Sequence, residues 1–181
     1  MSRDKAKPEP ALQNREETKM KMTVLYYSKT GNTKHMAEVV AKGMEMAGGV
    51  EAKAFPLDGA DAAWAKESKC IVLGSPIYMA GVCADVVKWL QSGFPAYGLA
   101  GKLGGVFATA DYIYGGGELG IRTILDHMMV YGMLTYSGGG SCGKPVIHLG
   151  PVAISGHLAE SEETFLTYGK RMAEKALEIY Q

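Results

Sequence analysis

The residues best suited to binding chemistry form one short polar loop, Ser28-Lys29-Thr30-Gly31-Asn32-Thr33. Four of its side chains can donate a hydrogen bond to an anion through a hydroxyl or amide group. The loop follows an apolar run and precedes a helical pattern, so a helix dipole would lie behind it. This predicts a phosphate cradle; the alternative is a polar turn that only caps the helix through Ser28 or Asn32. The GxxxxGK[ST] spacing of triphosphate-binding loops is absent, which favours a monophosphate.

A glycine-rich loop, residues 115–120, is a second candidate. Its letters match GxGxxG between a predicted strand and a predicted helix, but a dinucleotide fingerprint belongs in the first strand-to-helix turn. This loop instead follows the fourth predicted strand. We interpret it as a loop kept low in bulk beside a flat ligand.

Aromatic side chains follow two predicted strands. Tyr78 comes after Ser75-Pro76-Ile77, and Tyr112 and Tyr114 lie in the segment Asp111-Tyr112-Ile113-Tyr114. Such rings could stack on a planar ring system, although any one of them could equally be a rim residue that covers the core. Together with the phosphate cradle they favour a flat heterocycle that carries one phosphate.

The remaining composition excludes several classes of protein. The chain has 19 basic and 19 acidic residues among 181, which argues against a nucleic-acid-binding face. No apolar stretch approaches the roughly 20 residues that a membrane span requires. The three cysteines and four histidines show no disulfide framework and no metal-ligand spacing, so we predict no metal. Free cysteines, and an N-terminus without an apolar signal segment, indicate a cytoplasmic protein.

The elements that must position these loops alternate along the chain. Apolar or alternating runs at residues 22–27, 50–55, 70–74, 103–110 and 133–136 predict strands, and helical spacing separates most of them. Strand and helix in alternation predict an α/β fold, a doubly wound parallel sheet with helices on both faces. Ligands bind such sheets at the carboxyl ends of the strands, where all the candidate loops fall. Residues 1–20 are charged and lack an apolar period, so we predict a flexible arm there and one domain over 21–181.

Three stretches resemble known flavoproteins. YYSKTGNT (residues 26–33) resembles the FMN phosphate loop of flavodoxins. GSPIYMAGVCADVVKWL (residues 74–90) resembles the second flavin loop and following helix of NAD(P)H-dependent FMN and quinone reductases. GKLGGVFATA, GGGE and YGM (residues 101–110, 115–118 and 131–133) resemble the WrbA-like NAD(P)H:quinone oxidoreductases. The similarity runs from about residue 22 to residue 176.

The resemblance implies a flavodoxin-like, five-stranded parallel sheet in the order 2-1-3-4-5 and an FMN site built from three loops. The phosphate loop would contribute Ser28, Lys29, Thr30, Gly31, Asn32 and Thr33. The flavin ring would be lined by Pro76, Ile77, Tyr78 and Met79. Its pyrimidine edge would be framed by Thr109, Ala110, Asp111, Tyr112, Gly115 and Gly116. Tyr131 is added to the cofactor-binding residues because it occupies the position where the quinone reductases carry a histidine.

The resemblance further implies an enzyme that passes electrons from NAD(P)H through FMN to a quinone or similar acceptor, as a homodimer or higher homo-oligomer. Because the flavin carries the chemistry, no catalytic acid or base is predicted. The alternative is a flavodoxin-type electron carrier without a substrate of its own, and a third possibility is a flavin-sensing interaction module.

Overall fold

The computed structural model describes residues 18–181, so most of the predicted arm lies outside the described residues. Within these residues there are seven strands: β1 (Met20–Tyr26), β2 (Val50–Pro56), β3 (Cys70–Tyr78), β4 (Gly81–Val82), β5 (Leu103–Ala110), β6 (Leu134–Thr135) and β7 (Val152–Ile154). The same residues form four helices between strands and a fifth after the last strand: α1 (Asn32–Glu45), α2 (Ala62–Glu67), α3 (Ala84–Ser92), α4 (Gly117–Val130) and α5 (Leu158–Tyr180). A turn of 3₁₀ helix covers Phe94–Tyr97.

The central strands are the continuous apolar runs of the sequence. All eight residues of β5 are buried, and so are the first seven residues of β3, as expected for strands covered on both faces. The sheet order is β2-β1-β3-β5-β6, and every pair along this path is parallel. This confirms the predicted α/β fold with its 2-1-3-4-5 order.

The fifth position of the sheet differs from the prediction, because two short strands share it. Leu103 of β5 pairs with Leu134 of β6, and Ala108 pairs with Val152 of β7, both in parallel. Residues 136–151 leave the sheet between these two pairings. They contain Gly138, Gly139, Gly140, Gly143, Pro145, Gly150 and Pro151. Glycine and proline are weak strand formers, which accounts for the interruption. We call residues 136–151 the edge insertion.

Helices cover both faces of the sheet, each over its own apolar core. On one face α1 and α5 contribute Met36, Val40, Phe165 and Tyr168, all fully buried. On the other face, α3 and α4 contribute Val86, Leu90, Ile121 and Ile124. The short helix α2, which the sequence patterns did not predict, carries the buried Trp64.

Two glycines let α1 and α5 approach backbone to backbone. A Cβ atom at Gly43 would lie 2.3 Å from the carbonyl oxygen of Leu166, and one at Gly169 would lie 2.2 Å from that of Val40. Both distances are far shorter than the van der Waals contact distance between carbon and oxygen. Any side chain at either position would therefore push the two helices apart.

Parallel strands bring their carboxyl ends to one edge of the sheet, which we call the loop edge. The segments after β1, β3, β5 and β7 all lie there, and α1, α4 and α5 begin there. Within residues 18–181 no helix is long and apolar enough to cross a membrane.

Candidate functional site

The phosphate loop follows β1 directly and leads into α1. Gly31 is the N-cap of α1 with φ +96°, a left-handed conformation that glycine adopts without a steric penalty. The Gly31 N–H donates to Ser28 Oγ at 3.1 Å, which closes the loop into a tight turn. The first N–H groups of any helix have no partner inside it, and among residues 18–181 no side chain caps α1. These N–H groups face the loop edge. Lys29 and Thr30 are exposed on this loop.

Two side chains of the phosphate loop form hydrogen bonds with other parts of the protein. Thr33 is 1% exposed, and its Oγ1 lies 2.8 Å from Thr109 Oγ1 at the end of β5. Asn32 Nδ2 donates to Ser155 Oγ at 2.9 Å, in the segment after β7. These bonds fix the start of α1 to two neighbouring strand ends. Through this bond Thr33 and Thr109 position the loop.

The second predicted loop is a tight hairpin. β3 runs on through Ile77 and Tyr78, and β4 returns antiparallel to it, with Tyr78 opposite Gly81. Met79 and Ala80 form the turn with φ +50° and +61°. Non-glycine residues seldom adopt this conformation. The hairpin tip is consequently a raised and strained feature of the loop edge.

The third loop, residues 111–116, packs against this hairpin. A Cβ atom at Gly116 would lie 2.5 Å from the Ala80 carbonyl oxygen, and one at Gly120 would lie 2.4 Å from Ile77 Cδ1. The glycines of the GxGxxG-like stretch therefore serve close packing of α4 and its preceding loop against the hairpin. This agrees with the interpretation of a loop kept low in bulk.

A cavity of about 510 Å³ opens between the hairpin and the third loop. Its lining is Ile77, Tyr78, Met79, Ala80, Ala110, Asp111, Tyr112 and Gly115. Seven of these eight residues, all but Ala80, are ones that the sequence predicts around a planar ring. The floor is apolar, and Asp111 is the one carboxylate in this lining.

Large apolar side chains around this cavity are exposed to solvent. Met79 is 100% and Tyr114 is 99% exposed, and Tyr112 and Ile113 are largely exposed as well. Burial, assisted by the neighbouring groups Cys83, Asp111 and Asp85, raises the pKa of Tyr78 above its ordinary value. The phenol therefore remains a neutral hydrogen-bond donor across the physiological pH range.

The structure brings together the predicted residues of all three loops, but Tyr131 lies apart from them. Tyr131 follows the last turn of α4, and its hydroxyl donates to the Leu90 carbonyl oxygen at 2.7 Å. Its ring packs edge-on against Phe94, with centroids 5.9 Å apart. Because α4 starts at the loop edge, its last turn lies toward the opposite end of the sheet. Tyr131 is a packing residue between α3 and α4.

A fourth segment at the loop edge escaped the sequence reasoning. Ser155 accepts the Asn32 amide bond, its own N–H donates to the Ala110 carbonyl oxygen at 2.9 Å, and Gly156 follows with φ +79°. The signal available was the Ser155-Gly156 pair directly after the short apolar run at residues 152–154; in the first loop, too, a serine and then a glycine follow an apolar run. The segment was missed because β7, the strand that it follows, was not predicted from the sequence.

Comparison with known proteins gives close relatives among flavodoxins. The chain is 40% identical over 161 residues to a flavodoxin of Clostridium saccharobutylicum, covering 89% of this chain and all of the relative. It is 31% identical to a flavodoxin of Aquifex aeolicus over 85% of each chain. An NAD(P)H dehydrogenase (quinone) of Trichlorobacter lovleyi is 28% identical over 63% of this chain and 69% of the relative. No family model matches the chain.

Among solved structures, a WrbA-like flavodoxin from Agrobacterium tumefaciens superposes with a TM-score of 0.71 at 25% identity, over 87% of this chain and 97% of that one. The two relatives above 30% identity are thus flavodoxins, and the NAD(P)H dehydrogenase (quinone) is less similar, at 28%. The comparisons favour the carrier alternative of the sequence analysis over the predicted quinone reductase.

Proposed function

The chain belongs to the flavodoxin family, and on that premise we propose that it is an FMN-binding electron carrier whose cofactor lies between the phosphate loop, the hairpin and the third loop. The observation that carries this proposal is the meeting of an uncapped helix start with an apolar, aromatic-rimmed cavity at one edge of the sheet.

The phosphate of FMN fits the first loop chemically. The free N–H groups at the start of α1, the hydroxyl of Thr30 and the charge of Lys29 offer donors to an anion. A helix N-terminus stabilises negative charge through its dipole and its unpaired amides. Phosphate binding by backbone amides explains how a chain with no net charge can hold a dianion.

The isoalloxazine ring fits the cavity of about 510 Å³, which lies within the range of about 300–1,000 Å³ usual for small-molecule sites. Tyr78 and Tyr112 offer aromatic faces, and Ile77 and Ala110 exclude water from below. The bound flavin would supply the electron-transfer chemistry itself. The protein's part is to orient the ring, shield it and surround it with few charges, which tunes its potential.

A second candidate function is NAD(P)H-dependent reduction of a quinone or similar acceptor through the same flavin. The observations that favour it are the relative from Trichlorobacter lovleyi and the exposed apolar rim of Met79, Tyr112, Ile113 and Tyr114. A rim of this kind could contact an apolar acceptor, or a second copy of the chain in a homodimer that completes the site.

Titration of the purified protein with FMN, followed by tests for NADH or NADPH oxidation with and without a quinone, distinguishes the two functions. We expect one FMN per chain, negligible turnover of either nicotinamide, and two separate one-electron potentials. Rapid turnover with a quinone would overturn the carrier proposal in favour of the reductase. Absence of FMN binding would overturn both.

The phosphate loop is tested by introducing a negative charge where the phosphate is expected. Thr30→Asp should weaken FMN binding at least about tenfold, because two negative groups would be brought together at close range. Riboflavin lacks the phosphate, so its weaker binding should not change. Thr123→Asp on the exposed side of α4 is the matched control. Equal effects on FMN and riboflavin would contradict the assignment.

A further inference from the structure

A second cavity, of about 340 Å³, opens at the loop edge on the side of α3. Its lining comes from the ends of β1 and β2 and from α3: Tyr26, Tyr27, Ser28, Pro56, Leu57, Asp58, Asp85 and Trp89. Only Ser28 is shared with the phosphate loop, and there its Oγ already accepts the Gly31 N–H. The other lining residues have no part in the proposed flavin site.

Helix geometry brings a carboxylate and an indole to this cavity. Asp85 and Trp89 are four residues apart on α3, which puts them on one side of the helix a single turn from each other. The buried positions Val86 and Leu90 each follow by one residue, about 100° further around the helix, and turn that side of α3 to the core. Asp85 and Trp89 are therefore free to face the ends of β1 and β2.

The indole ring of Trp89 is held in place before any ligand binds. Trp89 packs against Phe94 and Tyr97, with ring centroids 5.1 and 5.9 Å apart. The Asp85 carboxylate is near enough to the Tyr27 hydroxyl to raise the pKa of Tyr27 above its ordinary value. A ring packed in the way of Trp89 loses little conformational entropy when a ligand contacts it.

The cavity is negative and its carboxylates lack a counter-charge. Asp58 and Asp85 make no salt bridge within residues 18–181. No lysine, arginine or histidine lines the cavity. Aromatic faces attract cations through their quadrupole, and the two carboxylates add a Coulombic attraction. The aromatic rings and the carboxylates thus both favour a positively charged ligand.

We propose that this cavity is a binding site for a small organic cation with a quaternary ammonium head, held between Tyr27 and Trp89 and neutralised by Asp58 and Asp85. The site is built from protein groups alone, so it does not depend on the proposed flavin function. A quaternary head suits the rings because it is weakly hydrated and needs no hydrogen-bond acceptors.

Calorimetric titration of the full-length protein with choline, with and without FMN and at constant ionic strength, tests the site. We expect saturable binding in both forms. The neutral isostere 3,3-dimethyl-1-butanol, which has the same shape without the charge, should bind much more weakly or not at all. Equal binding of the two compounds would overturn the proposal, as would an absence of saturable choline binding.

Variants locate the site. Asp85→Asn should weaken choline binding about fivefold, and Trp89→Leu about tenfold. Asp126→Asn, on the exposed side of α4 and paired with Arg122, is the matched control and should bind choline like the wild type. Loss of affinity in Asp126→Asn, or none in Asp85→Asn, would contradict the assignment.

A spectroscopic readout covers the case in which Trp89→Leu fails to fold. The chain has two tryptophans, so Trp64→Phe leaves Trp89 as the only tryptophan, which excitation beyond the tyrosine absorption band selects. We expect choline, but not the neutral isostere, to change its fluorescence along the calorimetric binding curve. Unchanged emission during saturable choline binding would overturn the placement beside Trp89.

Discussion

At the scale of single residues, the candidate site depends on side chains that bind other protein groups as much as on those left free. Thr33 and Asn32 look in the sequence like phosphate donors, yet one is buried against Thr109 and the other donates to Ser155. Their hydrogen bonds tie the first loop to the ends of β5 and β7. The free amides of α1 keep their direction because these two side chains fix where the helix begins.

The buried hydroxyl pair gives a stability prediction. Thr33→Val removes one partner and leaves Thr109 Oγ1 buried without a hydrogen bond, so the free energy of unfolding should fall by about 1–2 kcal/mol. The double variant Thr33→Val/Thr109→Val should lose less than the sum of the two single variants. Urea denaturation measures all three. Thr123→Val on the exposed side of α4 should stay within about 0.5 kcal/mol of the wild type. Additive losses in the double variant would contradict the coupling.

Two substitutions, one that introduces a glycine and one that removes a glycine, test the backbone conformation at two loop positions. Ala80→Gly should raise the free energy of unfolding of the FMN-free protein by up to about 1 kcal/mol, because it relieves a left-handed conformation at φ +61°. Gly31→Ala should lower it by about 1–2 kcal/mol. A Cβ at Gly31 meets nothing within 4 Å, so that loss is purely conformational. Denaturation curves that shift in the same direction for both variants would contradict this account.

At the scale of elements, the sequence predicts well what depends on local pattern. The strands at the centre of the sheet are apolar runs with glycine at or near their ends. Because these strands are buried on both faces, few polar side chains can occur in them. The phosphate loop is likewise local, since donors, glycine and helix start are contiguous. These features needed no knowledge of which segments meet in space.

The elements that were missed depend on distant contacts. β7, three residues long, was missed, and β6 keeps only two of the four residues predicted as a strand at 133–136. Both strands exist because β5 offers them an edge. Tyr131 was placed by its position in the chain beside a Gly-Met pair, although α4 carries it away from the loop edge. Ser155 was missed because only the folded sheet brings it to Asn32. Spacing along a chain does not specify such neighbours.

Lys102 links two elements and gives a pH prediction. Its Nζ donates to the carbonyl oxygens of Ala65 and Lys66 at the end of α2, at 2.8 and 2.6 Å, just before β5. Burial, with Lys69 nearby, lowers the pKa of Lys102 to about 8 from 10.5. Above the lowered pKa the folded protein binds fewer protons at this site than the unfolded chain does. This site therefore adds stability as the pH rises from about 8 toward 10.5.

Comparison with a variant isolates that contribution, because tyrosines and cysteines titrate in the same range. The free energy of unfolding of the wild type minus that of Lys102→Met should rise between pH 8 and 10.5. It should be flat from pH 6 to about 7, where the lysine is charged in both states. Urea denaturation across this range measures the difference. A difference that falls with pH would contradict the lowered pKa.

At the scale of the whole molecule, the edge insertion lies at the side of the sheet, with Ile147 buried in the same core as α1 and α5. Arg171 of α5 is 8% exposed and holds it by donating to the carbonyl oxygens of Pro145, Cys142 and Lys144, at 2.8, 2.9 and 3.1 Å. None of these residues lines the cavity between the hairpin and the third loop. The insertion should therefore loosen without disturbing the flavin site.

Arg171→Met tests this independence. Hydrogen exchange and proteolysis within residues 136–151 should increase, because three carbonyl oxygens lose a charged donor. FMN affinity should stay within about twofold of the wild type, since the substitution leaves the loop edge intact. Arg122→Met, which removes an exposed ion pair on α4, is the matched control and should change neither quantity. A large loss of FMN affinity in Arg171→Met would show that the insertion and the site are coupled.

The interrupted fifth position of the sheet also bears on self-association. A long unpaired strand edge is a template for addition of a foreign strand, and therefore for fibril growth. β6 and β7 present only two and three residues on this side, and a glycine- and proline-rich segment separates them. The opposite margin of the sheet is β2, seven residues long, with Glu51, Lys53 and Pro56 along it. Because β2 is the longer edge, aggregation under stress should start from β2 and not from β6 or β7. Charge and proline are the means by which such an edge is kept from pairing, so replacing Lys53 with an apolar residue should hasten aggregation.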